Sequence, residues 1–232
     1  MIDETTPRGR IVGAALALAA EKPWRDVTLR EIGERAGLGL MGLREHAQAK
    51  GDVLALLARA IDDEVLSKMA PPAAEDGKRD RLFEVLMARL DVLAPFKGAI
   101  RSIVADASTE PAAIRAMLAS QGWMLQAAGI DSGGIEGGVK VAGLTSVYAS
   151  VLRTWLDDDD PGLARTMAAL DRRLRRGERT LSAVGDASRT VKRIGEGLAA
   201  IISGRSARAA DGASDSGRTS TAAPSEPPHG SA

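Results

Sequence analysis

The residues with the strongest chemistry are few and scattered in this sequence. It contains two histidines, His46 and His229, and no cysteine, so we expect no thiolate catalysis, no Cys-type zinc site and no histidine-based triad. Four consecutive aspartates at 157–160 could attract a divalent cation, but no loop glycine and bidentate glutamate at calcium-loop spacing accompany them. They stand before Pro161 and a helical pattern, where acids cap a helix N-terminus. The sequence therefore predicts no enzyme activity, no metal site and no cofactor.

Residues between Thr28 and Lys50 have a spacing that is typical of nucleic-acid binding. Thr28 and Glu31 have the spacing of a capping box, which predicts the start of a helix. Gly37 follows the short apolar pattern of this helix and is suited to a left-handed C-terminal position. A second short helix is predicted from about 40 to 47. Two short helices joined by a turn with glycine form a helix-turn-helix, whose second helix can enter a DNA groove.

The order of these features matches a known family over a longer stretch, residues 8–57. The matching residues are Ile11, Ala14, Ala15 and Leu18 in a first helix, Trp24 in the connector, Val27, Thr28 and Ile32, then Ala36, Gly37, Leu43, Lys50 and an apolar helix from Asp52. In this order and spacing the stretch resembles the N-terminal domain of TetR-type transcriptional regulators. The resemblance implies a TetR-like fold, a homodimer, a C-terminal ligand-binding domain and DNA as a partner. The residues expected at the DNA surface are Thr28, Arg30, Leu40, Met41, Arg44, His46 and Lys50.

The second helix of the motif departs from the pattern of that family. There it typically opens with a small capping residue and with polar or basic residues that reach base edges, followed by a Tyr, an aromatic residue and a Lys. Here residues 39–42 are Gly-Leu-Met-Gly, Arg44 stands at the Tyr position, Ala47 at the aromatic position, and Lys50 is kept. The side chains at 39–42 cannot make directional hydrogen bonds to bases. The sequence therefore predicts phosphate contacts from Arg30, Arg44 and Lys50, which position a protein without specifying a DNA sequence.

Composition favours packed helices and places no strong constraint on partners. Hydrophobic residues make up 44% of the 232 residues and aromatic residues only 3%, so the core must be built mainly from Ala, Leu, Val, Ile and Met. Lys plus Arg and Asp plus Glu both number 31, which removes any global attraction to nucleic acid or anionic lipid. No apolar run reaches membrane-spanning length, and residues 1–20 lack the pattern of a signal peptide. We therefore expect an all-α protein in the cytoplasm.

Helical periodicity divides the chain into three predicted regions. A helix-turn-helix domain with its connecting helix covers 7–67, and a helical domain for ligand binding and dimerisation covers 78–203. The first helix is predicted to start at Thr5 or Thr6 with Pro7 and to stop near Glu21, before Pro23. A disordered tail is predicted at 204–232, where Ser, Ala, Gly, Thr and Pro dominate. Within the second domain, the Gly-rich stretch 129–138 is predicted to be a loop. The long helix predicted at 139–156 is apolar on several sides, which indicates a central position in the core.

Large and adaptable side chains in the C-terminal half indicate a ligand pocket. They are Met117, Trp123, Met124, Tyr148 and Trp155. Ordinary core packing is the alternative interpretation for each of them. Because none of the five is charged, the predicted ligand is a small apolar molecule or a lipid.

A second resemblance covers residues 82–176 and carries a different implication. The helix from Tyr148 to Trp155, the following Leu-Asp-Asp-Asp run, Thr166 and a Leu-Asp-Arg-Arg ending are similar to a TetR-fold accessory family of ubiquinone biosynthesis. That resemblance implies lipid binding, a helix-turn-helix that does not bind DNA, and a terminal amphipathic helix at the membrane. Residues 190–202 carry an apolar stripe suited to peripheral membrane contact. Packing of this stripe on the chain's own bundle or on a partner subunit is the alternative.

These observations lead to two functional hypotheses. The first is a ligand-responsive TetR-like transcriptional regulator, a homodimer through 139–156 and 163–174 that places two recognition helices in successive major grooves. In this hypothesis an apolar ligand changes DNA binding because it binds one dimer geometry better than the other. The alternative is a lipid- or isoprenoid-binding accessory protein of ubiquinone biosynthesis with a degenerate helix-turn-helix. The three-helix pattern favours the first hypothesis, and the apolar second helix of the motif favours the alternative.

Overall fold

A computed structural model describes residues 2–72, 77–106 and 111–179, which all lie within one compact unit spanning residues 1–181. Regular structure in these described ranges is entirely helical, so the predicted all-α class is confirmed there. None of the described helices is both long enough and apolar enough to cross a bilayer. The amphipathic segment predicted at 190–202 and the tail predicted at 204–232 lie outside the described residues.

The helices follow one another along the chain with short connections. They are α1 (Pro7–Glu21), α2 (Leu29–Arg35), α3 (Gly39–Arg44), α4 (Lys50–Lys68), α5 (Lys78–Leu93), α6 (Lys97–Asp106), α7 (Pro111–Ala127), α8 (Gly134–Leu156) and α9 (164–179). Short 3-10 turns lie at Trp24–Asp26 between α1 and α2 and at Ala94–Phe96 between α5 and α6. Helix α4 packs on α1, α5 and α7, and α6 packs on α1. The N-terminal helices are therefore joined to the rest of the bundle through both α4 and α6.

The first helix starts and ends where its local chemistry requires. The Thr6 hydroxyl accepts a hydrogen bond from the Gly9 amide at 3.0 Å, and Pro7 occupies the first helical position, where its missing N–H costs nothing. The helix ends at Glu21, ahead of Pro23. Its buried face carries Ile11 and packs into the same core as the following helices. The predicted start and end of this helix are confirmed.

The Gly-rich stretch before α8 is shorter than the sequence predicted. Helix α8 begins at Gly134, so Gly137 and Gly138 are helical and the prediction of a loop over all of 129–138 is wrong. A Cβ atom on Gly137 would lie 2.1 Å from the carbonyl carbon of Ser132. Glycine at this position therefore permits a close approach between the first turn of α8 and the preceding segment. The Gly-rich composition of the stretch does not show this contact.

Helix α8 is buried on one face only. Leu144, Tyr148 and Trp155 lie in the core. On the other side Ile135 is 92% exposed and Val139 is 52% exposed. The prediction of a central helix therefore holds for one face, and the second apolar face has no cover from the described residues.

Candidate nucleic-acid interface

The start of α2 is fixed by the predicted capping box. The Glu31 amide donates to the Thr28 hydroxyl at 3.3 Å, and the Thr28 amide donates to the Glu31 carboxylate at 2.9 Å. The Lys22 ammonium lies 2.6 Å from the other carboxylate oxygen. Hydrogen bonding from Lys22, followed by that from Thr28, lowers the pKa of Glu31 to about 2. The charge of Glu31 is thus used within the motif to hold α2 against the end of α1.

The turn between α2 and α3 depends on glycine at three positions. Gly37 and Gly39 have φ angles of 67° and 61°, in the left-handed region that other residues rarely adopt. Gly33 faces the turn from α2, where a Cβ atom would lie 2.7 Å from the Gly39 carbonyl oxygen. The Leu38 amide donates to the Gly33 carbonyl at 3.0 Å, and Leu43 anchors α3 in the core. These contacts define the angle between the two helices of the motif.

The outer side of α3 is exposed and mostly apolar. Met41 is 84% exposed and Leu40 is 50% exposed. Arg44 is also exposed and stands three residues after Met41, a spacing that places both on one side of the helix. Thr28 and Arg30, at the start of α2, are exposed as well. Five of the seven residues predicted to face DNA therefore lie on the open surface of the motif.

The other two residues predicted at the DNA surface are half-buried, namely His46 and Lys50. The Lys50 ammonium donates to the carbonyl oxygens of Trp24 and Arg25 and lies 4.7 Å from the centre of the Trp24 ring. It thereby fastens the start of α4 to the connector between α1 and α2. A phosphate contact from Lys50 stays a prediction, and it would require these bonds to be shared or exchanged.

Part of the positive charge near the motif is already paired with acids. Arg35 lies 2.6 Å from Glu21, and Arg25 lies 3.5 Å from Asp106. By contrast, Arg30 and Arg44 form no ion pair within the described ranges. They are therefore the arginines of this surface that are available to phosphate groups.

The predicted pocket residues do not converge on one site. Met124 and Tyr148 are buried together, but Trp123 is 56% exposed. Trp155 is buried two turns of α8 beyond Tyr148, beneath the ammonium of Lys97. The remaining residue, Met117, is half-buried and accepts a weak hydrogen bond from the Gln121 amide.

A buried polar cluster lies around Arg89, which contacts both Met124 and Tyr148. The Arg89 guanidinium forms an ion pair with Asp62 and donates to the Tyr148 hydroxyl at 3.1 Å. The Ser120 hydroxyl donates to Asp62 at 2.7 Å. This cluster joins α4, α5, α7 and α8 and adds charge to a region that the sequence predicted to be apolar. Its signal was the position of Arg89 in the buried stripe of α5, where a charged residue requires a partner.

Helix α6 connects the C-terminal helices to the connector of the helix-turn-helix. Arg101 in the middle of α6 donates to the Leu156 carbonyl at the end of α8. The Trp24 amide donates to the hydroxyl of the next residue, Ser102, at 2.8 Å, and that hydroxyl donates to the Lys22 carbonyl at 3.1 Å. The Arg25 amide adds a bond to Asp106 at 3.0 Å. These bonds give a continuous physical path between α8 and the connector.

Solved structures with the same arrangement of helices exist, although sequence comparison finds no matching family model and no matching curated protein. A TetR transcriptional regulator from Rhodococcus sp. RHA1 superimposes with a TM-score of 0.58 at 21% identity, covering 75% of this chain and 97% of that protein. The TetR transcriptional regulator from Nitrosomonas europaea ATCC 19718 gives a TM-score of 0.56 at 21% identity, covering 74% and 97%. The chain therefore has the fold of TetR-type regulators, and the predicted resemblance is confirmed at the level of fold.

Proposed function

We propose that this protein is a DNA-binding transcriptional regulator that acts through α2 and α3. The observation that carries the proposal is the ordered helix-turn-helix with an uncovered second helix. Glu31 and Arg35 of α2 are held in ion pairs with Lys22 and Glu21, whereas Arg30 and Arg44 are exposed and form no ion pair in the described ranges. A rigid motif of this kind binds DNA without an ordering cost.

A two-fold dimer through α8 and α9 belongs to the same proposal. Ile135 and Val139 expose an apolar face on α8, and Met167 is exposed on α9. Met167 lines a groove with Phe83 of α5, so the apolar face of α8 is the surface that favours association with a second copy. Such a dimer presents two copies of α3 to successive major grooves.

The proposal also includes a response to a ligand, which binds at the buried polar cluster of Arg89 and Asp62. The ion pair of Arg89 and Asp62 ties α4 to the C-terminal helices, and the Gln121 side-chain oxygen is buried nearby in α7 without a hydrogen-bond partner. A small, largely apolar molecule with one hydrogen-bond donor would satisfy Gln121. By separating α7 from α4 it would change the spacing of the two helix-turn-helix units.

The experiment that tests DNA binding is a fluorescence-anisotropy titration with DNA from upstream of the protein's own gene. A scrambled duplex and a salt series accompany it. We expect tighter binding to the upstream DNA, with affinity that falls steeply as salt rises because phosphate contacts release counterions. Arg44→Gln should reduce the salt slope by about one per protomer. Arg115→Gln, an exposed arginine on α7, is the matched control and should leave the slope unchanged.

The alternative proposal is a lipid-binding accessory protein in ubiquinone biosynthesis. The exposed Leu40 and Met41 favour it, because polar base-contacting side chains are missing from α3. Equal binding to upstream and scrambled DNA, with no effect of Arg44→Gln, would reject the regulator. Mass spectrometry of lipid that co-purifies with the full-length protein would then test the alternative.

A further inference from the structure

Exposed apolar surface in the DNA-binding unit is concentrated on α3. Leu40 and Met41 are the large hydrophobic residues exposed between positions 2 and 68, whereas the others in that described range are buried or half-buried. They are neighbours in sequence, and Arg44 follows one turn later on the same side. Covering these two side chains with a partner would remove their apolar surface from water, which is favourable.

We propose, on the basis of the regulator function above, that Leu40 and Met41 recognise thymine methyl groups in the major groove. The C5-methyl of thymine is the one apolar feature on base edges there. Gly39 and Gly42 carry no side chain that competes for base contacts, and Arg44 is placed to contact a phosphate or a guanine edge. Methyl packing is thus the base contact that the two exposed apolar side chains of α3 add to any polar contact from Arg44.

The charges around α3 fit a groove-facing orientation of this apolar pair. Arg30 and Arg44 supply positive charge on either side of the motif without acidic partners in the described ranges. Glu45 lies one turn after Met41, where its carboxylate repels phosphate but can accept from a cytosine amino group. A helix with Met41 in the groove keeps Glu45 over base edges and away from the sugar-phosphate backbone.

Replacement of thymine by uracil is the test, since it removes the methyl group and keeps every hydrogen-bonding group of the base pair. Full-length protein is used to select duplexes from a randomised library, and each thymine of the selected site is replaced in turn. We expect affinity to fall about fourfold for each methyl group in contact, the factor that corresponds to burial of one CH₂ group. Cytosine in place of a contacted thymine should weaken binding, and 5-methylcytosine at the same position should recover part of the lost affinity because it restores the methyl group.

Alanine variants assign the effect to the apolar pair. The double variant of Leu40→Ala and Met41→Ala should bind thymine and uracil duplexes equally well, because both contacting side chains are gone. Each single variant should lose the preference only at the thymines that its own side chain contacts. Both residues are exposed, so the variants should unfold at the same temperature as the wild type. Ile114→Ala, an exposed aliphatic residue on α7, is the control and should keep the full preference for thymine.

The outcomes separate this inference from the proposed function. Selected duplexes that bind tightly with no loss on uracil replacement would overturn the methyl contact and leave the regulator in place. Discrimination that persists in the double variant of Leu40→Ala and Met41→Ala would also overturn it. A library from which no sequence is enriched, with no binding to upstream DNA, would reject the regulator itself.

Discussion

Arg89 and Asp62 carry opposite charges in the core, and their energetic role follows from burial. Removing one partner of a buried pair leaves the other charge without compensation, at a cost of about 3–5 kcal/mol. Arg89→Met would leave the Asp62 carboxylate with Ser120 as its remaining donor. We therefore expect Arg89→Met to lower the free energy of unfolding by about 3–5 kcal/mol in urea titrations followed by circular dichroism.

A second substitution separates the loss of charge balance from the loss of packing. Asp62→Asn in the Arg89→Met background removes the uncompensated charge, so the double variant should be more stable than Arg89→Met alone. If the double variant were no more stable than Arg89→Met, the unpaired charge of Asp62 would not be the cause of the lost stability. A loss below about 1 kcal/mol for Arg89→Met would indicate a pair in contact with water.

Glu31 makes the stability of the helix-turn-helix depend on pH. Its pKa is about 2 in the folded protein, against an ordinary value of 4.5. A carboxyl with a depressed folded pKa contributes stability above its unfolded pKa and loses that contribution as pH falls toward the folded value. Glu31→Gln should therefore lower the melting temperature at pH 7, and the difference from the wild type should shrink between pH 4.5 and about 2.

The control for this substitution comes from the same helix. Glu34 is exposed on α2 and forms no ion pair in the described ranges, so Glu34→Gln should change the melting temperature little at either pH. A constant difference between Glu31→Gln and the wild type down to about pH 2 would contradict the assignment, because it would show that the lost stability does not titrate.

The elements that the sequence predicted well are those defined by local chemistry. The capping box of Thr28 and Glu31, the start of α1 at Pro7 and the stop before Pro23 all depend on residues within a few positions of one another. The start of α8 was missed because the role of Gly137 depends on its distance from Ser132, which composition does not show.

Features of the site that join distant parts of the chain were beyond prediction from periodicity. Asp62 and Arg89 are 27 positions apart, and although Arg89 stands in the apolar stripe of α5, periodicity does not identify Asp62 as its partner. Lys50 matched a family position expected to contact DNA, yet its bond to the Trp24 carbonyl spans 26 positions and depends on the packing of α4 against the connector. Pairings of this kind are set by the tertiary fold.

The angle between α2 and α3 depends on the space at Gly33. A Cβ atom there would lie 2.7 Å from the Gly39 backbone oxygen, so Gly33→Ala must displace the turn. We expect a loss of about 1–3 kcal/mol in the free energy of unfolding and weaker DNA binding, because α3 no longer meets the groove at the same angle. The measurements are urea unfolding and anisotropy with upstream DNA.

Gly98→Ala is the matched glycine substitution for this experiment. Gly98 lies in α6, and a Cβ atom there meets no neighbour within 4 Å. Alanine should stabilise that helix by up to about 1 kcal/mol and leave DNA affinity unchanged. Stability and affinity of Gly33→Ala that match those of Gly98→Ala would show that the close approach to Gly39 does not control the motif.

At the scale of the whole molecule, α6 carries the connection between the C-terminal helices and the helix-turn-helix. Ser102 bonds both the Trp24 amide and the Lys22 carbonyl, while Arg101 bonds the end of α8. A movement of α8 can therefore reach the connector through α6, in parallel with the route through α4 and the buried ion pair. DNA binding should act in the reverse direction, because coupling between two sites is reciprocal.

Ser102→Ala tests this connection by removing one hydroxyl. It leaves the partly buried Trp24 amide without its acceptor, at a cost of about 1–3 kcal/mol, so that amide should exchange with deuterium about tenfold faster or more. DNA binding should slow exchange in α6 of the wild type and have a smaller effect in Ser102→Ala. Thr154→Ala removes a hydroxyl whose hydrogen bond among the described residues stays within α8, to the Ser150 carbonyl, so this variant should behave as the wild type. If DNA slowed hydrogen exchange in α6 equally in the wild type and in Ser102→Ala, the coupling would bypass Ser102 and pass through α4 and the buried ion pair instead.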